Sequence, residues 1–294
     1  MAQTKALRGR IKSVQNTRKI TRTMELVSTS KLKRAQDRVV SARPYAQALA
    51  AVIADLYTAE LAESFPLLRT PTTPAQGGPT RAVVMLVTSN RGLAGGFNSN
   101  LIKEAKRRIE ELEKAGYTVE LHGIGKKGIG FFKYLGRTAA VQRTDIGDRP
   151  TAEHATELVT QLMADFEQGK LASLDLVHAK FESPISTPPT TVRVLPVPAP
   201  TEKGVRPDYL LKPGADEIVS SLLPLYVRNA VYRGLVETAA GEHGARRTAM
   251  KNATDNAGEI IHSLKRTYNR LRQAAITQEI SEIVGGADAL ATAK

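Results

Sequence analysis

Both ends of this chain keep helical time. From Asp216 to Val284 apolar residues recur at spacings of three and four. Met250, Ala253, Ala257, Ile260, Leu264, Tyr268, Leu271 and Ala275 then fall on one helix face. No proline interrupts positions 225–294. As a single helix the stretch has roughly 70 residues and runs about 100 Å. A compact body made of the whole chain would be about 50 Å across. Such a helix must project from it, and a second helix must cover its stripe. The alternative is two shorter helices, broken where Gly241 and Gly244 bracket Glu242 and His243, because each interior glycine costs about 1 kcal/mol against alanine. Gly285 and Gly286 are the expected stop.

The opening stretch, Ala2 to about Ala62, answers with a stripe of its own. Leu32, Ala35, Val39, Ala42, Ala46, Leu49, Ile53 and Leu56 alternate three and four, as in a coiled-coil seam, and Leu7, Ile11 and Val14 extend it less regularly. Pro44 removes a helical hydrogen bond and predicts a kink, since the pattern continues on both sides of it. Neither stripe has a core of its own. Packing on each other, antiparallel, satisfies both and leaves the middle of the chain inserted at one end. Packing of each on a different protein chain is the alternative.

Between them the period changes. Phe65–Pro79 is rich in Pro, Thr and Gly and reads as a linker. The continuous apolar run Ala82–Val87 predicts a strand covered on both faces. Helices are expected at Leu101–Lys114, Lys126–Leu135 and Thr151–Gln168, and strands at Thr118–Ile124, Thr138–Gln142, Leu174–Phe181 and Thr190–Val197. This alternation predicts an α/β unit with a parallel or mixed sheet. Pro196–Pro213 is a second linker. The expected organisation is therefore residues 1–62 as an N-terminal helix, 63–215 as an inserted α/β domain with its linkers, and 216–294 as a C-terminal helix.

Charge sharpens the picture. Of the net +13 carried by the 294 residues, twelve Lys or Arg less two acids place +10 between Met1 and Arg43, leaving +3 for the remainder. A basic segment of this kind suits an acidic partner: nucleic acid, an anionic membrane or an acidic protein surface. It shares its helix with an apolar seam and has no aromatic residue before Tyr45 to stack on bases, which weighs against nucleic acid. The absence of Cys excludes disulfides, thiolate catalysis and cysteine metal sites. Met1–Ile11 has no signal-peptide pattern, and no run is long and apolar enough to span a bilayer.

Candidate chemistry is sparse. Ser89–Phe97 is a glycine-rich loop between strand and helix that matches no phosphate-binding fingerprint. Gly123, Gly125 and Gly128 do match G-x-G-x-x-G, with Asp145 near the place of a ribose-binding acid, so a dinucleotide enzyme is one hypothesis. The fingerprint belongs to the first βαβ unit, however, and this is the second. His122, His154, His178, His243 and His262 have no metal-ligand spacing. Asp145 and Asp148 read as turn residues. No catalytic, cofactor-binding or metal site is expected.

Three long stretches carry a resemblance: LRGRIKSVQNTRKITRTMELVSTSKLKRAQDRVVSAR from Leu7, VTSNRGLAGGFN from Val87, and MKNATDNAGEIIHSLKRTYNRLRQAAITQEISEIVG from Met250. In order and at family length, they resemble the gamma subunits of bacterial F-type ATP synthases. The resemblance implies an antiparallel coiled coil of the terminal helices with a Rossmann-like α/β domain inserted between them. It implies a non-catalytic rotor shaft that carries the rotation of a proton-driven c-subunit ring to the catalytic beta subunits. Implied partners are the alpha and beta subunits, the epsilon subunit and the c ring, with no nucleic acid, cofactor or small-molecule substrate. The implied location is peripheral, on the cytoplasmic face of the bacterial plasma membrane. Met24, Arg246, Gln273, Thr277 and Glu279 match positions that meet the alpha/beta ring, and Asp208 and Tyr209 match positions that meet the c ring and epsilon. Arg246 is then expected to be exposed and to face a partner. The chloroplast thiol switch is excluded, since this chain has no Cys. A basic coiled-coil adaptor for nucleic acid or an acidic protein is the rival.

Overall fold

A computed structural model describes residues 2–57, 64–69, 71, 73–199 and 214–292. The described elements, in order, are α1 (Ala2–Leu56), a 3-10 turn (Pro74–Gln76), β1 (Arg81–Val87), α2 (Phe97–Lys114), β2 (Thr118–Ile124), α3 (Lys126–Tyr134), β3 (Val141–Arg143), α4 (Ala152–Glu167), β4 (Ser173–Ala179), β5 (Pro189–Leu195) and α5 (Ala215–Thr292). They form two compact units, Ser28–Arg246 and the two chain ends Met1–Val27 with Arg247–Lys294.

The larger unit is built on a mixed sheet in the order β3-β2-β1-β4-β5. β1 pairs in parallel with β2 and β4, β2 in parallel with β3, and β5 is antiparallel to β4. The apolar run of β1 is its central strand, buried along nearly its whole length because both faces are covered. Ala82, Val84 and Leu86 pack with Leu101, Ala105, Ile109 and Leu112 of α2. Val83, Met85 and Val87 join a second cluster with Leu158, Leu162 and Phe166 of α4, the end of α1, and Val219, Leu223, Val227, Val231 and Leu235 of α5. That last series steps by four, a ridge that lies along a sheet face.

Pro44 sits inside α1 without ending it. It is exposed, as is Val40 one turn back, the residue whose carbonyl it leaves without a helical donor.

Three glycines of α5, Gly234, Gly241 and Gly244, mark close approaches. The helix has no break at Gly241–Gly244 and no stop at Gly285–Gly286. A Cβ on Gly234 would stand 2.6 Å from the Leu176 side chain, one on Gly241 3.1 Å from Phe97, and one on Gly244 2.7 Å from the Pro184 carbonyl oxygen. Gly244→Ala is expected to lower stability by about 1–3 kcal/mol even though alanine favours a helix, because a backbone oxygen cannot swing aside. Thermal unfolding measures it, and an unchanged or raised midpoint would show that Pro184 yields.

In the smaller unit the two helix segments run antiparallel. The Arg8 guanidinium donates to the Tyr268 hydroxyl at 2.8 Å, and the Thr21 and Thr254 hydroxyls lie 2.8 Å apart. The inner positions of α5 here are Met250, Thr254, Ala257 and Ile261, continued half-buried at Leu264, Tyr268 and Leu271. The apolar pattern predicted Ala253 and Ile260. Ala253 is half-buried and Ile260 is 49% exposed. The steps are strictly four and three, which keeps the seam on one side of the helix. Thr254 enters it because its hydroxyl is satisfied, by Thr21 and by the Met250 carbonyl at 2.8 Å.

Candidate functional site

Two features of the larger unit gather polar side chains: the turns that leave β1 and β2, and the stretch of α5 from Glu237 to Arg246.

The turns lock each other. The Thr88 hydroxyl accepts from the Gly128 amide at 2.9 Å, Asn90 Oδ1 accepts from the Lys126 amide at 3.0 Å, and the Ser89 carbonyl accepts from the Lys127 amide at 3.1 Å. These are the N-terminal amides of α3, the groups that a dinucleotide fold leaves free for a pyrophosphate. Here side chains and backbone from the β1 exit occupy them. The three glycines have packing reasons of their own: Gly125 has φ +93°, and added Cβ atoms on Gly123 and Gly128 would stand 2.7 Å from Ile129 and 2.9 Å from the Thr88 hydroxyl. Asp145 is held by the Arg143 guanidinium at 2.7 and 2.8 Å, which takes its pKa down to about 2. The fingerprint is thus a turn-packing device, and Ser89–Phe97 is its other half.

On α5, Glu237 accepts from the Phe181 amide at 3.2 Å and the Thr238 hydroxyl from the Ala179 amide at 3.2 Å, fastening the helix to the end of β4. One turn on, the Arg246 guanidinium bonds Glu242 at 2.6 Å and the Gly92 carbonyl at 3.2 Å. Arg246 is 7% exposed, so the expectation of a surface residue is corrected. A buried guanidinium needs its donors filled, and Glu242 with the carbonyl of the glycine loop fills them. The pair stands at i, i+4, a spacing legible in the sequence. Burial raises the Glu242 pKa, against the pull of Arg246.

Asp148 is more than a turn residue. Lys31 of α1 bonds its carboxylate, Arg38 donates to its carbonyl at 3.1 Å, and His243 Nε2 lies 3.6 Å away. Burial takes the His243 pKa from 6.5 to about 4; Asp148 opposes the shift, and Arg246, Lys31 and Arg34 add to it. A base depressed in the fold gives stability that is complete above the unfolded value and is lost as pH falls from about 6.5 to 4. His243→Gln is expected to remove about 2–3 kcal/mol of acid destabilisation across that window. His122 and His178 are depressed by burial too, so the comparison of variant with parent in denaturant melts isolates His243. Identical pH profiles would refute the assignment. Among the described residues no group of His, Asp or Glu could hold a metal ion.

The other site residues lie in the smaller unit. Met24 is half-buried on α1, and Gln273, Thr277 and Glu279 are exposed on α5. The Thr277 hydroxyl donates to the Gln273 backbone carbonyl at 3.0 Å, and the spacing of four puts the two on one face. Asp208 and Tyr209 fall outside the described residues.

The comparisons with known proteins cover nearly the whole chain. A family model described as ATP synthase matches residues 3–290. The ATP synthase gamma chain of Gemmatimonas aurantiaca is 60% identical over 293 residues, 99% of each chain. The chain belongs to the ATP synthase gamma chain family. The gamma chain of Leptospira biflexa is 41% identical over 294 residues, 99% of this chain and 100% of its own. Among solved structures, a chain of the Euglena gracilis mitochondrial ATP synthase OSCP/F1/c-ring assembly shares the fold with a TM-score of 0.66 at 18% identity, over 98% of this chain and 95% of that one. A chain of the same organism's ATP synthase rotor gives 0.65 at 18% identity, over 94% and 99%. These gamma-chain relatives lend no support to the nucleic-acid adaptor.

Proposed function

We propose that this chain is the central shaft of a proton-translocating F-type ATP synthase, a non-catalytic subunit that couples rotation of a c-subunit ring to the conformational cycle of the beta subunits. The observation that carries this reading is the 60% identity to a gamma chain along 99% of the chain. The smaller unit supports it. Beyond Leu271 the side chains of α5 are exposed as far as Ala287, with Ile276, Ile280 and Ile283 among them. A bare apolar helix end suits a shaft seated among other subunits.

The proposal keeps residues 1–62 and 216–294 as the two strands of an antiparallel coiled coil, with 63–215 as a Rossmann-like insertion. Four parallel strands in the order 3-2-1-4 support that name. Met24, Gln273, Thr277 and Glu279 are the proposed contacts with alpha and beta subunits. Arg246 can join them only by leaving its bonds to Glu242 and Gly92. Asp208 and Tyr209 are proposed to meet the c ring and epsilon. The proposed place is peripheral, on the cytoplasmic face of the bacterial plasma membrane. Among the described residues no helix is long and apolar enough to cross a membrane.

Reconstitution tests the reading. The chain mixed with bacterial alpha and beta subunits is expected to give one stable complex whose Mg-ATP hydrolysis depends on it. A folded chain that neither joins nor stimulates the ring would overturn it.

A further inference from the structure

Beyond the carboxyl ends of β1, β2 and β3 lies a cavity of about 610 Å³, open to solvent and walled on its far side by α5. Its size is that of a small-ligand pocket, and in open α/β sheets ligands occupy the crevice outside the carboxyl ends of the strands. The shaft role makes no use of it.

Its charges are arranged unevenly. Three carboxylates line it, and each is already paired with a cation: Asp145 with Arg143 at 2.7 Å, Glu242 with Arg246 at 2.6 Å, and Asp148 with Lys31. Three lining cations, Arg91, Lys126 and Arg149, have no ion pair among the described residues. Arg91 and Arg149 come from the loops after β1 and β3 and Lys126 opens α3 after β2, so the fold brings three separate segments to one cavity. A small adjoining cavity shares Asp148 and Arg149. There Arg34 and Arg38 add positive charge, and the buried His243 Nε2 lacks a hydrogen-bond partner. Val87, Ile124 and Leu235, which belong to the core, supply part of the larger cavity's apolar lining.

We propose that this cavity binds a phosphoryl anion of up to mononucleotide size. Two guanidinium forks and an ammonium lining one cavity suit the oxygens of a phosphate or diphosphate, for which charge-assisted and bidentate bonds are strong. The amides of α3 take no part, because the chain's own oxygens fill them. Recognition rests on side chains, which separates this site from a dinucleotide fingerprint. A volume of about 610 Å³ leaves room for a nucleoside, so ADP and simple phosphates are two sources of one chemistry.

The test is calorimetric titration of the full-length chain, at low salt, with phosphate, pyrophosphate and ADP in turn. Parent protein is compared with Arg91→Gln/Arg149→Gln and with Lys126→Gln. All three side chains are exposed, so the variants should keep the parent's circular dichroism and unfolding midpoint. Saturable binding of pyrophosphate or ADP, weakened about tenfold or more in the double variant, is the expected result. ADP tighter than pyrophosphate would place the nucleoside in the cavity as well, and equal affinities would assign the site to the phosphoryl group alone. No saturable heat from any of the three overturns the proposal. So does binding that both variants leave intact, since the anion would then sit on the basic N-terminal segment instead.

Discussion

Arg246→Leu is expected to destabilise the chain by about 3–5 kcal/mol, the cost of breaking a buried ion pair by removing one partner. The variant leaves Glu242 buried without its cation and the Gly92 carbonyl without its donor. Leucine restores volume but no charge. The Glu242→Gln/Arg246→Leu double variant should recover a substantial part of the loss, since a neutral amide tolerates the site better than an unpaired carboxylate. Denaturant melts of the parent, both single variants and the double variant close the cycle. Additive losses would show that the two side chains act independently. The consequence for function is direct: reduced coupling in an Arg246 variant of this gamma chain has to be read beside its stability. A lost partner contact leaves the melt unchanged, whereas a lost clasp moves it.

Gly125→Ala is the second large effect, on the order of 3 kcal/mol or more. The residue has φ +93°, where a side chain is strained, and an added Cβ would stand 2.1 Å from the Thr88 carbonyl oxygen. Two backbones meet there: the Gly125 amide bonds the Arg143 carbonyl at 2.8 Å, and the Thr88 amide bonds the Ile124 carbonyl at 2.8 Å. Neither can retreat without parting the carboxyl ends of β1, β2 and β3. Gly130→Ala is the control. It lies on the exposed side of α3 with nothing within 4 Å of its added Cβ, and should stabilise by up to about 1 kcal/mol. A Gly125→Ala melt close to the control's would refute the account.

Much of this protein was legible as pattern. The three-and-four spacing predicted both long helices, and the apolar run at Ala82–Val87 predicted a strand covered on both faces. These signals are local: a period is a property of the chain, and burial on one face or two leaves its mark in successive residues. The family resemblance was legible for a different reason, since three long motifs in order are hard to match by chance.

Tertiary contact decided the rest. The sequence alone could not separate a glycine that breaks a helix from one that lets the helix cross a strand. Gly234 and Gly241 became contact points only once Leu176 and Phe97 stood beside them. The same holds for the G-x-G-x-x-G turn, whose amides are filled by Thr88, Ser89 and Asn90, far away along the chain. The seam of α5 depended on Thr21, a residue more than two hundred positions earlier that satisfies a buried Thr254. Arg246 was expected at the surface because it matches a family position that meets the alpha/beta ring. Its burial follows from two acceptors, Glu242 one turn away and Gly92 across the fold, and only the first could be read from spacing. Periodicity tells which face of an element is covered. What covers it, and therefore whether a polar residue there is exposed or satisfied, is set by partners that only the folded chain brings together.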